Sequence, residues 1–197
     1  LSFAVEAKSL EGVGDTRSQS ERQVLSRFGS SLLYAYSTEQ AEVIEEALLR
    51  LSSLLLARRI TRRFGRMSLR GSDEGAVIEL PSTHAAEKQL RRICEVLAKP
   101  ALGSPFLRAV WLLVAMVNAH PFIDGNGRMS RILFNFEMIR FGMPPQAYIP
   151  IFAAMSCSGG GFEIRLREAE VLGRWDPIVL YFCQIVEMLV LNEEFLE

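Results

Sequence analysis

Cysteine, histidine and long apolar runs are all scarce in this sequence, and each scarcity removes a class of protein. Three cysteines (Cys94, Cys157, Cys183) among 197 residues are odd in number and lack CxxC or Cys/His ligand spacing. They read as core or loop thiols of a reducing compartment, which excludes a disulfide scaffold and a zinc module. The longest strongly apolar stretch, residues 109–117, is too short to span a bilayer. The opening residues LSFAVEAKSL show no basic segment followed by an apolar one, so a cytoplasmic protein without membrane contact is expected. Charge of one sign is missing too. A net charge of −1 provides no overall field to recruit nucleic acid. What is present is 49% hydrophobic and 23% charged residues, the balance of a globular chain long enough to bury a core.

Helical periodicity dominates. Residues 37–66 open with Ser37-Thr38-Glu39-Gln40, which reads as a capping box with Ser37 as N-cap and Gln40 at N3. Val43, Ile44, Ala47, Leu48, Leu51, Leu54 and Leu55 then recur at helical spacing. Gly65, Gly71 and Gly75 punctuate the next stretch, and residues 76–80 (AVIEL) form a β-prone run that reads as one arm of a small hairpin. Leu90, Ile93, Val96 and Leu97 mark another amphipathic helix, ending near Pro100. Residues 105–119 are apolar almost all round, as a helix at the centre of a bundle must be, and Pro121 stops it just past His120. Further helices are expected at about 127–141, 162–172 and from 176 onward, with Ser156-Cys157-Ser158 and three glycines as a flexible loop. The expected fold is all-α: a helical bundle around a central buried helix, with a small β-hairpin.

Between the central helix and the next lies His120-Pro121-Phe122-Ile123-Asp124-Gly125-Asn126-Gly127-Arg128-Met129-Ser130-Arg131. Gly125 and Gly127 allow a turn and a close approach of backbone to ligand. Their amides fall where a helix begins, so unpaired N–H groups and the positive dipole end face one point. Asp124 offers a hard oxygen suited to Mg²⁺ held with phosphates. Arg128 and Arg131, three apart, share a helix face and can neutralise a polyphosphate. His120 is the one group there able to accept a proton near pH 7. Each residue alone has an ordinary structural role; a base, a metal ligand, an anion nest and two arginines within twelve residues point to phosphate chemistry.

This segment resembles the Fic family through HxFx(D/E)GNGRxxR, every specified position of which is present. The wider resemblance covers most of residues 37–190, so the chain reads as an N-terminal segment, 1–36, followed by a Fic domain, 37–197. The resemblance implies a protein adenylyltransferase. His120 would deprotonate a Ser, Thr or Tyr hydroxyl that attacks the α-phosphorus of ATP. Asp124 would hold Mg²⁺. The Gly125-Asn126-Gly127 amides, with the Asn126 side chain, would form the anion hole. Arg128 and Arg131 would hold the distal phosphates. It also implies a flap at residues 73–84 that pairs with an extended piece of the target.

Other outcomes stay open: transfer of UMP or phosphocholine, removal of AMP, a non-catalytic regulatory module, and self-association. Many family members carry an inhibitory helix, (S/T)xxxE(G/N). Ala7-Lys8-Ser9-Leu10-Glu11-Gly12 resembles it except at Ala7, which implies that Glu11 pairs with Arg131. Phe162-Glu163 stand where members often have two tyrosines near the nucleotide. The basic run Arg58, Arg59, Arg62, Arg63, Arg66 and Arg70 reads as a solvated helix end, or else a grip for nucleic acid or an acidic target. His84 is structural or faces the target.

Overall fold

The structure is a computed structural model and describes residues 16–70, 77–99, 103–144, 148–158 and 160–191. Among these are eight helices: α1 (Thr16–Ser37), α2 (Ala41–Leu56), α3 (Thr83–Ala98), α4 (Pro105–Ala119), α5 (Asn126–Arg140), α6 (Ile151–Cys157), α7 (Gly161–Leu172) and α8 (Asp176–Leu191). Two three-residue strands, β1 (Ser68–Arg70) and β2 (Val77–Glu79), pair antiparallel with Leu69 opposite Ile78. No helix among the described residues is long and apolar enough to cross a membrane.

Helix α4 organises the rest. Ser104 accepts a hydrogen bond from the Leu107 N–H at 3.4 Å, and Pro105 supplies a preset φ in the first turn. Its apolar residues then face two ways. Leu112, Ala115 and Met116 enter a core built with α1, α2, α3 and α5. Ala109, Val110, Leu113 and Val114 enter a second core with α6, α7 and α8. A helix apolar on all sides is thus explained by having two cores to serve.

The first helix is the main departure from the sequence-based expectation. Ser37 does not cap α2; it ends α1, its hydroxyl donating back to the Tyr34 carbonyl at 2.7 Å. Helix α2 starts at Ala41 with Gln40 as N-cap, and Thr38 Oγ1 accepts from the Gln40 N–H at 3.3 Å. Leu25, Leu32, Ala35 and Tyr36 of α1 are buried in the same core as α2 to α5. A boundary at residue 37 therefore falls at the end of a helix that packs against α2 and α5.

Two other segments differ. The stretch expected to be a loop before the glycines belongs in part to α6, which includes Ser156 and Cys157. Phe162 lies in the second core, 2% exposed, with ring centroids 5.9 Å from Tyr181 and 6.2 Å from Phe182. A side chain so enclosed is a packing element, whereas Glu163 beside it is exposed.

Candidate active site

His120 ends α4 in the left-handed region, at φ 47° and ψ 53°, which turns the chain sharply into the loop. Its Nδ1 lies 3.3 Å from the Val117 carbonyl. A carbonyl can only accept, so Nδ1 carries the proton and Nε2 keeps its lone pair. Burial lowers the imidazole's pKa below the usual histidine value, and the Arg63 guanidinium adds to this against the opposing pulls of Val117 and Asp124.

The loop after it is clasped by one side chain. Asn126, 1% exposed, accepts from the Phe122 N–H through Oδ1 (3.0 Å) and donates from Nδ2 to the Phe122 carbonyl (2.9 Å). Both polar atoms of the side chain thus brace the loop, and Nδ2 carries a second N–H besides the one given to Phe122. Phe122 itself is fully buried and pins the loop to the core.

The backbone amides at the start of α5 form a helix N-terminus, a geometry suited to an anion. Gly125, the N-cap, has φ 80°, a conformation that favours glycine, and a Cβ there would press on Leu56 Cδ1 at 3.0 Å. The N–H groups of Asn126, Gly127 and Arg128 precede Met129, whose N–H bonds to the Gly125 carbonyl at 2.8 Å. Gly127 is different, being helical. A Cβ there would lie 3.5 Å from Arg131 Nη1, so glycine keeps the face beside that arginine open.

Asp124 sits at the mouth. Its Oδ1 accepts from the Gly125 N–H at 2.6 Å and its Oδ2 from Arg58 Nη2 at 2.6 Å. What burial there is raises its pKa, but the Arg58 and Gly125 hydrogen bonds and the Arg128 charge outweigh this and hold the carboxyl below its usual range. No group of three or more His, Cys, Asp or Glu side chains forms a metal cage among the described residues. A single ionised, part-exposed carboxylate beside an anion nest does fit Mg²⁺, which keeps waters and takes phosphate oxygens as its other ligands. Arg128 is half-buried and makes no ion pair among the described residues.

Arg131 is not open to solvent. Its Nε donates to both carboxylate oxygens of Glu21, at 3.1 and 3.2 Å, and its Nη2 donates to Oε1. Glu21 is 1% and Arg131 6% exposed. The Tyr148 hydroxyl donates to Glu21 Oε2 at 3.0 Å, and the Phe152 ring covers Arg131 at 5.1 Å. Burial, reinforced by the Glu21 carboxylate, raises the Tyr148 pKa well above the usual value, so it stays a hydroxyl and a donor. Asn135 holds this corner from below, donating to the Arg131 and Ile149 carbonyls and accepting from the Ile149 N–H.

The expected partner of Arg131, Glu11, lies outside the described residues; the carboxylate that meets Arg131 is Glu21 of α1. The sequence does carry a signal for it. Ser18, Glu21, Leu25 and Leu32 share the buried stripe of α1, and a carboxylate at a core position demands a buried cation.

The basic run is likewise not a helix end, because α2 stops at Leu56 with Ala57 in the left-handed region. Residues 61–63 run antiparallel to the active loop: the Ile123 N–H donates to the Thr61 carbonyl (3.2 Å) and the Arg63 N–H to the Pro121 carbonyl (2.7 Å). Arg62 pairs with Glu45 and Arg58 with Asp124. His84 is exposed in the first turn of α3.

Comparison with known proteins agrees with this architecture. The Fic/DOC family pattern matches residues 38–138, half of the chain. The chain belongs to the Fic/DOC family. A Fido domain-containing protein of Dictyostelium discoideum is 58% identical over 42 residues, 21% of this chain and 29% of that protein. The protein adenylyltransferase Fic of Drosophila persimilis is 49% identical over 41 residues, 21% of this chain and 8% of its own length. The matched segments thus span less than a third of each of these relatives. Among solved structures, Fic-1 of C. elegans aligns with a TM-score of 0.61 and 23% identity, covering 89% of this chain and 49% of that one. A Fic family protein of Desulfovibrio desulfuricans G20 aligns at 0.66 and 16%, covering 94% and 68%. Identities this low establish a shared all-α Fic fold.

Proposed function

We propose that this chain transfers AMP from Mg-ATP to a Ser, Thr or Tyr hydroxyl of a protein, and that Glu21 restrains the reaction. The observation that carries the reading is an imidazole whose Nδ1 is held by the Val117 carbonyl, one short loop before a helix N-terminus whose first turns carry Arg128 and Arg131. His120 Nε2 takes the hydroxyl proton as that oxygen forms its bond to the α-phosphorus. The bond from the α-phosphorus to the bridging oxygen breaks, and pyrophosphate leaves. The amides of Asn126, Gly127 and Arg128 receive the growing negative charge. Asp124 would hold Mg²⁺ once Arg58 yields Oδ2, and the ion when bound neutralises phosphate charge. Arg128 and Arg131 grip the distal phosphates.

Arg131 can do so only after leaving Glu21. A carboxylate that already occupies Nε and Nη2 competes directly with the γ-phosphate. The inhibitory role that the family resemblance implies for Glu11 thus passes to Glu21. The target would dock along the strand pair near residues 73–84, adding its backbone to a sheet edge.

Incubation with ATP labelled at either the α- or the γ-phosphate, followed by mass spectrometry of the acceptors, tests the reaction. Transfer of the α-label alone, with an AMP mass increment on a hydroxyl residue, is expected. Transfer of the γ-label alone would replace AMP transfer by phosphate transfer.

A further inference from the structure

Of the arginines at 58, 59, 62, 63 and 66, Arg63 is the buried one, 2% exposed. Two of its three guanidinium nitrogens hold backbone carbonyls from distant parts of the chain, while Nη1 is buried without a hydrogen-bond partner. Nε donates to the His120 carbonyl at 3.0 Å and Nη2 to the Pro81 carbonyl at 2.7 Å. Its own N–H holds the Pro121 carbonyl at 2.7 Å. We propose that Arg63 is a positioning residue for the transfer reaction, a clamp that fixes His120 relative to the base of the strand pair. This rests on the reading of His120 as the base.

His120 occupies a left-handed backbone conformation that a histidine does not favour by itself, so neighbouring contacts must impose it. One contact holds the ring, Nδ1 to the Val117 carbonyl; the other holds the carbonyl, through Arg63 Nε. The second arm of the same planar group holds Pro81, which follows β2 and precedes α3. The strand pair is continued there by the Leu80 N–H, which donates to the Met67 carbonyl at 3.1 Å. A target backbone lying along the strands and a base attacking its hydroxyl must keep a fixed separation, and one rigid fork spans both. Packing alone would be met by methionine, which fills similar space without burying a charge. Lysine has one compact ammonium in place of a planar fork and cannot reproduce both arms in the same plane. The arginine charge also opposes protonation of the imidazole, in keeping with a neutral base.

The test compares Arg63→Met and Arg63→Lys with the wild type. Three quantities are measured: ATP affinity by calorimetry, kcat for α-labelled AMP transfer, and amide hydrogen exchange at Ile123 and Leu80. The methionine variant should lose about 10–100-fold in kcat, the effect of displacing a reacting group by about an ångström. Its ATP affinity should stay within about twofold, because the phosphate-binding groups lie on α5. Both amides should exchange faster together, and lysine should recover only part of the rate. Full kcat in Arg63→Met, or complete rescue by lysine, overturns the proposal. So does an equal loss of kcat and ATP affinity in both variants, the pattern of general loosening. A wild-type chain that transfers nothing would sink the reading of His120 instead. Exchange then decides alone, and unchanged protection of Ile123 and Leu80 in Arg63→Met would refute the clamp.

Discussion

The two ends of the motif are held in opposite ways. At the His120 end the restraints come from the loop, the helix ends that flank it and the extended segment lying against it: Val117, Asn126, Arg63 and the buried ring of Phe122. At the Arg131 end the decisive contact comes from a helix more than a hundred residues away in sequence, through the single carboxylate of Glu21. The first end is built once and has nothing to exchange. The second is a buried ion pair, and under the proposed function its carboxylate gives way to a phosphate. The His120 end is thus preorganised, while the Arg131 end depends on what α1 supplies.

The largest expected effect is at the built end. His120→Ala should lower transfer by on the order of 10²–10⁴ while leaving ATP affinity intact, because the imidazole touches the hydroxyl proton and not the phosphates. Equal calorimetric titrations of wild type and variant with ATP, alongside lost incorporation, are the expected pair of results. A variant that transfers at the wild-type rate would break the comparison at its firmer side.

At the conditional end the effect is smaller and shows only once the carboxylate is gone. In a Glu21→Gln background, Arg131→Ala should weaken ATP by about 10–100-fold and AMP hardly at all, the range set by a charge-assisted contact of about 1.5–3 kcal/mol. Calorimetry giving equal losses for the two nucleotides would remove the γ-phosphate from Arg131. Asn126→Ala should cost about 1–3 kcal/mol in stability, since it leaves the Phe122 N–H and carbonyl buried without partners. Thermal unfolding should register this as a fall of about 2–4 °C per kcal/mol for a chain of this size. A change below measurement would mean the loop is held without its clasp.

The smallest effect is in pH. The base works only when deprotonated, so activity falls as pH drops through the folded-state pKa of His120. Burial lowers that pKa from 6.5, so half-maximal kcat/KM on the acid side should lie below pH 6.5. The same shift makes the neutral form favour folding, a contribution lost as pH falls. An acid limb above pH 6.5 would contradict a buried, neutral imidazole.

Much of this is legible in sequence, unevenly and for physical reasons. Helix α4 is readable because fifteen residues apolar on all sides admit one interpretation. The His120 end is readable because its chemistry is contiguous, and Gly125 is identifiable because turn geometry is local. The loop-bracing role of Asn126 is not legible, because the sequence shows an amide but not which backbone groups it meets. Helix α1 hides beneath a serine- and arginine-rich surface. Its buried stripe, with Glu21 among Leu25 and Leu32, acquires meaning only when α5 supplies Arg131. Arg63 stands within an arginine run that looks uniform, and only the fold separates the buried member from the exposed ones.

Glu21 is where the proposed restraint is most exposed to a test. The most direct measurement is the rate of α-labelled AMP incorporation by wild type, Glu21→Gln and Glu21→Gln/His120→Ala at equal protein and Mg-ATP concentrations. Glutamine keeps the side-chain volume while removing the charge that competes with the γ-phosphate. Glu21→Gln should incorporate label about 10–100-fold faster than wild type, and the double variant should be silent. Incorporation by Glu21→Gln no faster than wild type, with folding intact by circular dichroism, or label persisting in the double variant, would contradict a His120-driven transfer restrained by Glu21.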